Sequence, residues 1–171
     1  MIFSRHWAMP SPDTFSIPQI GDFVRKYLTG ISVDPFARNK RWATYTNDIN
    51  PNTEAEFHMD AVEFLTGLKI KADVIILDPP YSPGQIKECY QVAGKSFSMT
   101  DAQNGALYSS VRTAARNICK HGTIVLSFGW NSCGMGRGFE IEEIMLVAHG
   151  GAHNDTICMA ERMIAEQGQF L

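Results

Sequence analysis

The stretch that most constrains the fold covers residues 72–85 and reads ADVIILDPPYSPGQ. It opens with four consecutive apolar residues, Val74–Leu77, which is typical of a strand buried on both faces of a parallel sheet. The run ends at Asp78, which two prolines and Tyr81 follow. Because proline cannot donate to a strand ladder, the chain must leave the sheet at this point. Asp78 and Tyr81 are therefore predicted to lie at the carboxyl edge of the sheet, where open α/β sheets bind ligands.

The residue types at this edge suit a planar base that carries an exocyclic amine. The Asp78 carboxylate can accept a hydrogen bond from an NH2 group, and the Pro79 carbonyl can accept a bond from its second proton. Together they would draw the nitrogen lone pair towards a nucleophilic geometry, while Tyr81 stacks on the ring. The alternative is a simple Pro-Pro turn after a strand, in which Asp78 caps a local group.

The string Asp-Pro-Pro-Tyr after an apolar strand resembles motif IV of the DNA amino-methyltransferases, which modify adenine N6 or cytosine N4 with S-adenosylmethionine. The resemblance implies S-adenosylmethionine as the cofactor and an α/β, Rossmann-like class I methyltransferase sheet. That sheet is mostly parallel and ends in a C-terminal antiparallel hairpin. It also implies four catalytic positions, which are Asp78, Pro79, Pro80 and Tyr81.

Composition sets the outer limits of the prediction. The 171 residues predict a single domain, of which residues 1–16 form an extended N-terminal arm. No apolar run is long enough to span a membrane and the start lacks a signal-peptide core, so we expect a cytoplasmic protein without a membrane partner. The scattered cysteines and histidines predict no metal site. A net charge of -3 argues mildly against nucleic-acid binding, although Arg38, Lys40 and Arg41 form a candidate basic patch.

Residues 17–28 have an apolar helical face, and Pro18 suits the first turn of the helix. This segment resembles the one that contacts the methionine end of the cofactor in amino-methyltransferases. Phe15 and Pro18 are the candidates that the resemblance implies. A capping helix with a packed arm is an equally good interpretation.

The next strand, residues 31–33, ends in Asp34, Pro35 and Phe36, which resemble motif I of the family. The glycine-rich turn that normally follows is absent, and the strand predicted over residues 42–46 begins too soon for a crossover helix. Either the first crossover is shortened to a loop, or the two strands are not parallel neighbours. Asn39 and the basic residues beside it are candidates for binding the cofactor carboxylate, but they suit solvent or a nucleic-acid phosphate equally well.

Two further acidic positions follow in order. Asp48 is the candidate ligand for the ribose hydroxyls and Ile49 would flank the adenine, with an Asx-turn as the alternative. Asp60 and Ala61 resemble motif III, in which the carboxylate accepts from the adenine amine, although Asp60 also suits an N-cap. Motif-like acids thus occur in the order of four successive strand ends: Asp34, Asp48, Asp60 and Asp78.

The C-terminal half predicts helices over residues 85–93 and 106–120 and a buried strand over residues 123–128. Residues 95–105 are a candidate mobile loop over the site. The glycines of residues 129–138 do not predict a phosphate loop, because no helix follows them. Residues 139–147 and 156–163 form a predicted hairpin. Its turn carries three candidate contacts to a target base or phosphate, with a surface loop as the alternative: His149, His153 and Asn154.

The resemblance implies a compact, phage-type methyltransferase core in a bacterial or phage-infected cell, acting on adenine N6 of DNA. Its expected partners are nucleic acid, with DNA ahead of RNA, and a second copy or a helper subunit. Three alternatives stay open. They are an RNA base methyltransferase, a degenerate subunit that assists a partner, and an enzyme acting on a small molecule.

Overall fold

A computed structural model of the chain describes residues 1–94, 106–131 and 134–164. The loop predicted over residues 95–105 lies outside these residues, as do Ser132 and Cys133 of the glycine-rich loop. The described strands are β1 Ile2–Trp7, β2 Ser32–Asp34, β3 Tyr45–Thr46, β4 Val74–Leu77, β5 Ile124–Gly129, β6 Phe139–Ala148 and β7 Thr156–Met163. The described helices are α1 Pro18–Tyr27, α2 Ala61–Gly67, α3 Pro83–Val92 and α4 Ala106–Asn117. A 3-10 turn, Thr14–Ser16, precedes α1.

The seven strands form one sheet in the order β1-β6-β7-β5-β4-β2-β3. β3, β2, β4 and β5 pair in parallel. β7 lies antiparallel between β5 and β6, which confirms the predicted C-terminal hairpin. The carboxyl ends of β2, β3, β4 and β5 therefore meet at one edge, together with the turn between β6 and β7. The α/β class and the mostly parallel sheet are as predicted.

The segment predicted as an arm contains a strand that the sequence pattern does not reveal. β1 pairs in parallel with β6, from Ile2 opposite Glu143 to Trp7 opposite Ala148. Five of its six side chains are exposed and the sixth is partly buried, so no apolar alternation marks it as a strand. Its backbone hydrogen bonds to β6 are what place it in the sheet.

The first crossover is shortened to a loop, as one of the two alternatives proposed. β2 and β3 are parallel neighbours, with Val33 opposite Tyr45 and Asp34 opposite Thr46, and no helix joins them. The strand over residues 42–46 is shorter than predicted and begins at Tyr45. Beyond β3, Asn47 forms an isolated parallel bridge with Phe57. The strand expected to end near Asp60 is therefore reduced to this single bridge.

The buried amide of Asn47 holds this region together. Its Nδ2 donates to the carbonyls of Pro35, at 3.2 Å, and Met59, at 3.0 Å, and its Oδ1 accepts from the Met59 N–H at 2.9 Å. Its backbone bonds the segment after β2 as well, since Asn47 N–H donates to the Asp34 carbonyl and the Ala37 N–H donates to the Asn47 carbonyl. One side chain thus links the chain after β2, after β3 and before α2.

Alternate residues of the central strand supply both faces of the core. Val74 and Ile76 pack with α1 on one face of the sheet, and Ile75 and Leu77 pack with α2 and α4 on the other. This double burial is what the unbroken apolar run predicts. Within the described residues, no helix is long and apolar enough to cross a membrane.

Replacing Asn47 tests its role in the crossover. We expect Asn47→Ala to lower the free energy of unfolding by about 3 kcal/mol, because it leaves buried backbone donors and acceptors without partners. Urea denaturation followed by circular dichroism measures the loss. Asn52→Ala, at an exposed position of the following turn, is the matched control and should leave the stability unchanged. Equal stability of the two variants would contradict the role of Asn47.

Candidate active site

A cleft of about 780 Å3 opens at the carboxyl edge of the sheet. It brings together residues from the ends of β2, β3, β4 and β5 and from the turn between β6 and β7. The predicted site residues that line it are Pro35, Phe36, Asp48, Ile49, Asp78, Pro79, Pro80, Tyr81, His149, His153 and Asn154. This volume lies in the usual range for a ligand site.

Asp78 lies directly after β4, where the two prolines end the strand. Its carboxylate accepts a hydrogen bond from the Tyr81 hydroxyl, and the Thr14 hydroxyl lies 3.5 Å from the same phenol oxygen. Burial raises the pKa of Asp78 to about 6, and the bonds from Tyr81 and Thr14 oppose this rise. The burial of Tyr81 and the nearby charge of Asp78 raise the pKa of Tyr81, so the phenol keeps its proton. Asp78 is therefore a carboxylate at neutral pH and is already solvated by hydroxyl groups.

The turn after Asp78 is stabilised from two directions. The Tyr81 N–H donates to Oε1 of Gln85 at 2.8 Å, and the Tyr108 hydroxyl donates to the Pro80 carbonyl. Ser82 caps α3 by accepting from the Gln85 N–H at 3.3 Å. These bonds hold the prolines and the Tyr81 ring in one arrangement relative to β4.

Trp130 also lines the cleft, although the sequence analysis did not predict it. It follows β5 directly, at the same edge as Asp78, and it lines the cleft with 43% of its surface exposed. Its ring meets the Tyr81 ring in an edge-to-face contact, with centroids 5.7 Å apart. Its position could have been predicted, because Trp130 directly follows β5, a buried strand that runs parallel to β4.

Asp48 forms the Asx-turn that was one of the two roles considered for it, and it also lines the cleft, where the ribose role stays a prediction. Its Oδ1 accepts from the Asn50 N–H at 2.8 Å, which is the Asx-turn, and its Oδ2 accepts from the Arg38 N–H at 3.0 Å. A carboxylate has about four acceptor positions, so further donors can still bind it from the cleft. Ile49 lines the cleft beside it. The turn therefore orients Asp48 without using up its acceptor capacity.

Asp34 lies beneath the cleft and does not line it. It is 1% exposed, and its Oδ1 accepts from the Phe36 N–H at 2.9 Å. Burial raises the pKa of this carboxyl group well above its ordinary value. The residue shapes the turn that carries Pro35 and Phe36 into the cleft, so the structure gives it a supporting position in place of the predicted contact.

Five other predicted cofactor residues lie away from the cleft lining: Phe15, Pro18, Asn39, Asp60 and Ala61. Phe15 is buried against the rings of Trp42 and Phe128, which is the packed-arm alternative. Pro18 opens α1 at an exposed position. Asn39 is exposed and accepts from the Glu54 N–H at 3.1 Å.

Asp60 is the N-cap of α2, as its alternative interpretation proposed. It accepts from the Val62 N–H at 2.9 Å and the Glu63 N–H at 3.3 Å. The Tyr90 hydroxyl also donates to it, and Tyr90 lines the cleft. The Tyr90 side chain thus connects Asp60 to the cleft. Ala61 is buried in the core.

The turn between β6 and β7 lies beside the cleft, as predicted, and its histidines differ. The ring of His149 is buried, with Nδ1 donating to the Ala8 carbonyl at 2.9 Å and Nε2 bonded to the Thr156 hydroxyl at 2.9 Å. It joins the end of β1 to the hairpin. His153 and Asn154 are exposed at the rim. Across the described ranges, no three His, Cys, Asp or Glu side chains are grouped as metal ligands would be.

No protein-family model matches the sequence, and no curated protein matches it. Solved structures with a similar fold include TrmN from Thermus thermophilus, with 15% identity and a TM-score of 0.58. NSun6 from Pyrococcus horikoshii, solved with SFG, has 14% identity and a TM-score of 0.53. A proposed methyltransferase from Escherichia coli, yhhF, has 9% identity and a TM-score of 0.56.

The matched regions cover 86% of this chain for TrmN, 79% for NSun6 and 92% for yhhF. They cover 92% of yhhF, but only 49% of TrmN and 48% of NSun6, so the chain spans about half the length of these two proteins. At such identities the likeness concerns the fold. The chain has the Rossmann-like methyltransferase fold that its sequence predicted.

The raised pKa of Asp78 predicts how stability depends on pH. The folded state holds this proton more tightly than the unfolded chain, so Asp78 favours folding below about pH 4 and loses that contribution as the pH rises through 6. At pH 7.5 we expect Asp78→Asn to be about 2 kcal/mol more stable than the wild type, with the gap narrowing towards pH 5. Chemical denaturation across this range measures it.

Asp73→Asn is the control with the opposite sign. The Lys120 ammonium and the Ile31 N–H hold the pKa of Asp73 below its ordinary value, so its removal should lower stability at pH 7.5. An Asp78→Asn protein less stable than the wild type at pH 7.5 would contradict the assigned environment of Asp78.

Proposed function

We propose that this protein is an S-adenosylmethionine-dependent methyltransferase that acts on an exocyclic amine of a nucleobase. The observation that carries the proposal is the position of Asp78. It is a partly buried carboxylate at the carboxyl edge of a methyltransferase-type sheet, with two aromatic rings beside it and an acidic turn across the cleft. An amine donor fits such an acceptor, and a planar base fits such rings.

The residues across the cleft suit the cofactor. Asp48 has acceptor capacity for ribose hydroxyls, and Ile49 beside it offers an apolar surface to the adenine ring. The neighbour NSun6 was solved with SFG, an analogue of S-adenosylmethionine, which supports the same cofactor here. When bound, S-adenosylmethionine supplies an electrophilic methyl group.

On the substrate side, Asp78 would accept one hydrogen bond from the target amine, and the Pro79 carbonyl would accept the other. In the free protein the Tyr81 hydroxyl occupies Asp78, so this phenol holds the place of the incoming NH2 group. Exchanging one neutral donor for another keeps the carboxylate solvated throughout. The gain in rate then comes from positioning the amine and stabilising the positive charge that develops on it.

Tyr81 and Trp130 provide the surface for the base. The two rings meet edge to face, and the Trp130 face is partly exposed to the cleft. A base in this position would stack on one ring and contact the edge of the other. A base within a duplex would have to leave its helix to reach this depth.

The choice of polymer is the finer part of the proposal. The Asp-Pro-Pro-Tyr string resembles the DNA adenine and cytosine enzymes. The fold shared with NSun6 and TrmN does not separate DNA from RNA, so RNA is the second candidate. The net charge of -3 does not favour either polymer. Methyl transfer must therefore be measured on duplex DNA, single-stranded DNA and RNA in parallel, with nucleoside digestion to identify the product.

Replacing Asp78 tests the catalytic assignment. We expect Asp78→Asn to lower methyl transfer by about 100- to 1,000-fold, because the charge that stabilises the developing cation is lost. Its affinity for S-adenosylhomocysteine, measured by calorimetry, should stay at the wild-type value. Glu88→Gln, an exposed acid on the wall of the same cleft, is the control and should keep full activity.

Methyl transfer by Asp78→Asn at the wild-type rate would contradict the catalytic role of Asp78. If the wild type binds S-adenosylhomocysteine but labels none of the polymers, a small-molecule substrate or a missing partner subunit would be favoured. A wild type that shows no thermal stabilisation by S-adenosylhomocysteine would support the degenerate-subunit alternative.

Trp130 offers a separate test of the base-binding surface. We expect Trp130→Ala to raise the KM for the nucleic acid by roughly 10-fold, because one stacking partner of the base is lost. Trp130→Phe keeps an aromatic face and should recover most of the affinity. Cofactor affinity should be the same in all three proteins. A KM that does not change in Trp130→Ala would remove Trp130 from the substrate surface.

A further inference from the structure

We propose that Arg38 binds the carboxylate at the methionine end of the cofactor, so that one side chain replaces the glycine-rich turn that this chain lacks. The assignment rests on the proposed function, because it requires S-adenosylmethionine or its product in the cleft. The sequence left three roles open for the basic segment after Asp34: binding the cofactor carboxylate, facing solvent, or binding a nucleic-acid phosphate. The proposal selects the first for Arg38.

The charge distribution in the cleft supports this assignment. Among the described residues that line it, Arg38 is the only lysine or arginine, whereas Asp48, Asp78 and Glu88 contribute negative charge. The methionine end of the cofactor carries a carboxylate, which requires a positive or strongly donating partner. His149 is not that partner, because both of its ring nitrogens are already bonded.

The position of Arg38 fits the path that the cofactor must take. Its own N–H donates to Oδ2 of Asp48, the candidate ribose ligand, at 3.0 Å. Towards the catalytic end, the Arg38 guanidinium opposes the effect of burial on the pKa of Asp78, so its charge lies within electrostatic reach of that carboxylate. Arg38 therefore lies between the ribose position and the methyl-accepting position, where the amino-acid end of the cofactor branches off.

The Arg38 guanidinium has N–H groups left to bind a ligand. The Nη1 of Arg38 donates to the Pro12 carbonyl at 2.5 Å, which is a neutral partner, and a guanidinium has five N–H groups. The neighbouring cations are placed differently. Lys40 pairs with Asp13 at 3.0 Å, and neither Lys40 nor Arg41 lines the cleft.

The backbone of Arg38 gives an independent sign of a constrained position. Its φ of 51° is in the left-handed region, and it is alone in this among the described residues other than glycine. Glycine would adopt this conformation without strain. An arginine at a position that suits glycine is explained if the side chain has a task in the cleft.

The same backbone angle provides a clean variant. Arg38→Gly relieves the backbone but loses the exposed bond to the Pro12 carbonyl, so the protein should melt close to the wild-type temperature. We expect its affinity for S-adenosylhomocysteine, measured by calorimetry, to fall roughly 10- to 100-fold with the loss of a charge-assisted pair. Its affinity for 5′-methylthioadenosine, which lacks the amino-acid end, should match that of the wild type. The affinity of Arg38→Lys for S-adenosylhomocysteine should lie between those of the wild type and Arg38→Gly. Arg41→Ala should bind both ligands with wild-type affinity.

Three results would overturn the assignment. Arg38→Gly could bind S-adenosylhomocysteine as well as the wild type does, or more tightly, which would make Arg38 a bystander or an obstruction. Equal losses for both ligands would limit Arg38 to shaping the loop. A wild type that binds neither ligand would overturn the proposed function itself, and that failure is distinct because it appears before any substitution is made.

Discussion

The three hydrogen bonds of the buried Asn47 amide are the interaction on which the cleft depends most. They link the chain after β2 and before α2 to the end of β3, in a region where one crossover has been reduced to a loop. No crossover helix joins these ends, and the buried polar bonds help to hold them in register. These bonds are directional, so they also fix where the following residue, Asp48, points.

The end of the cleft that contains Asp78 depends on a balance between burial and hydrogen bonding. Asp78 is held near apolar surroundings, which disfavours its charge, while hydroxyl groups from Tyr81 and Thr14 lower that cost. In the proposed function, the target amine would take the place of one of these hydroxyl donors. Keeping Asp78 charged at neutral pH costs stability, as is common at functional sites.

The N-terminal segment shows why local patterns are insufficient for part of the fold. β1 lies beside β6 although more than a hundred residues separate them, and its exposed side chains show no alternation. Beyond β1, the segment reaches the cleft through the Pro12 carbonyl and Thr14, and His149 bonds to the Ala8 carbonyl. These contacts join distant parts of the chain, so no window of sequence contains them.

The sequence by itself determined the sheet class, the buried strand β4 with Asp78 at its edge, the shortened crossover as one of two alternatives, and the C-terminal hairpin. Each follows from periodicity or turn chemistry, which act over a few residues. Only the tertiary structure decided which candidates face the cleft. It placed Phe15 and Ala61 in the core, Asp34 beneath the floor and Asp60 in a helix cap, and it brought Trp130, Thr14 and Arg38 to the wall. The reason is physical: a motif fixes the type of a side chain, but packing between distant elements decides which surface that side chain reaches.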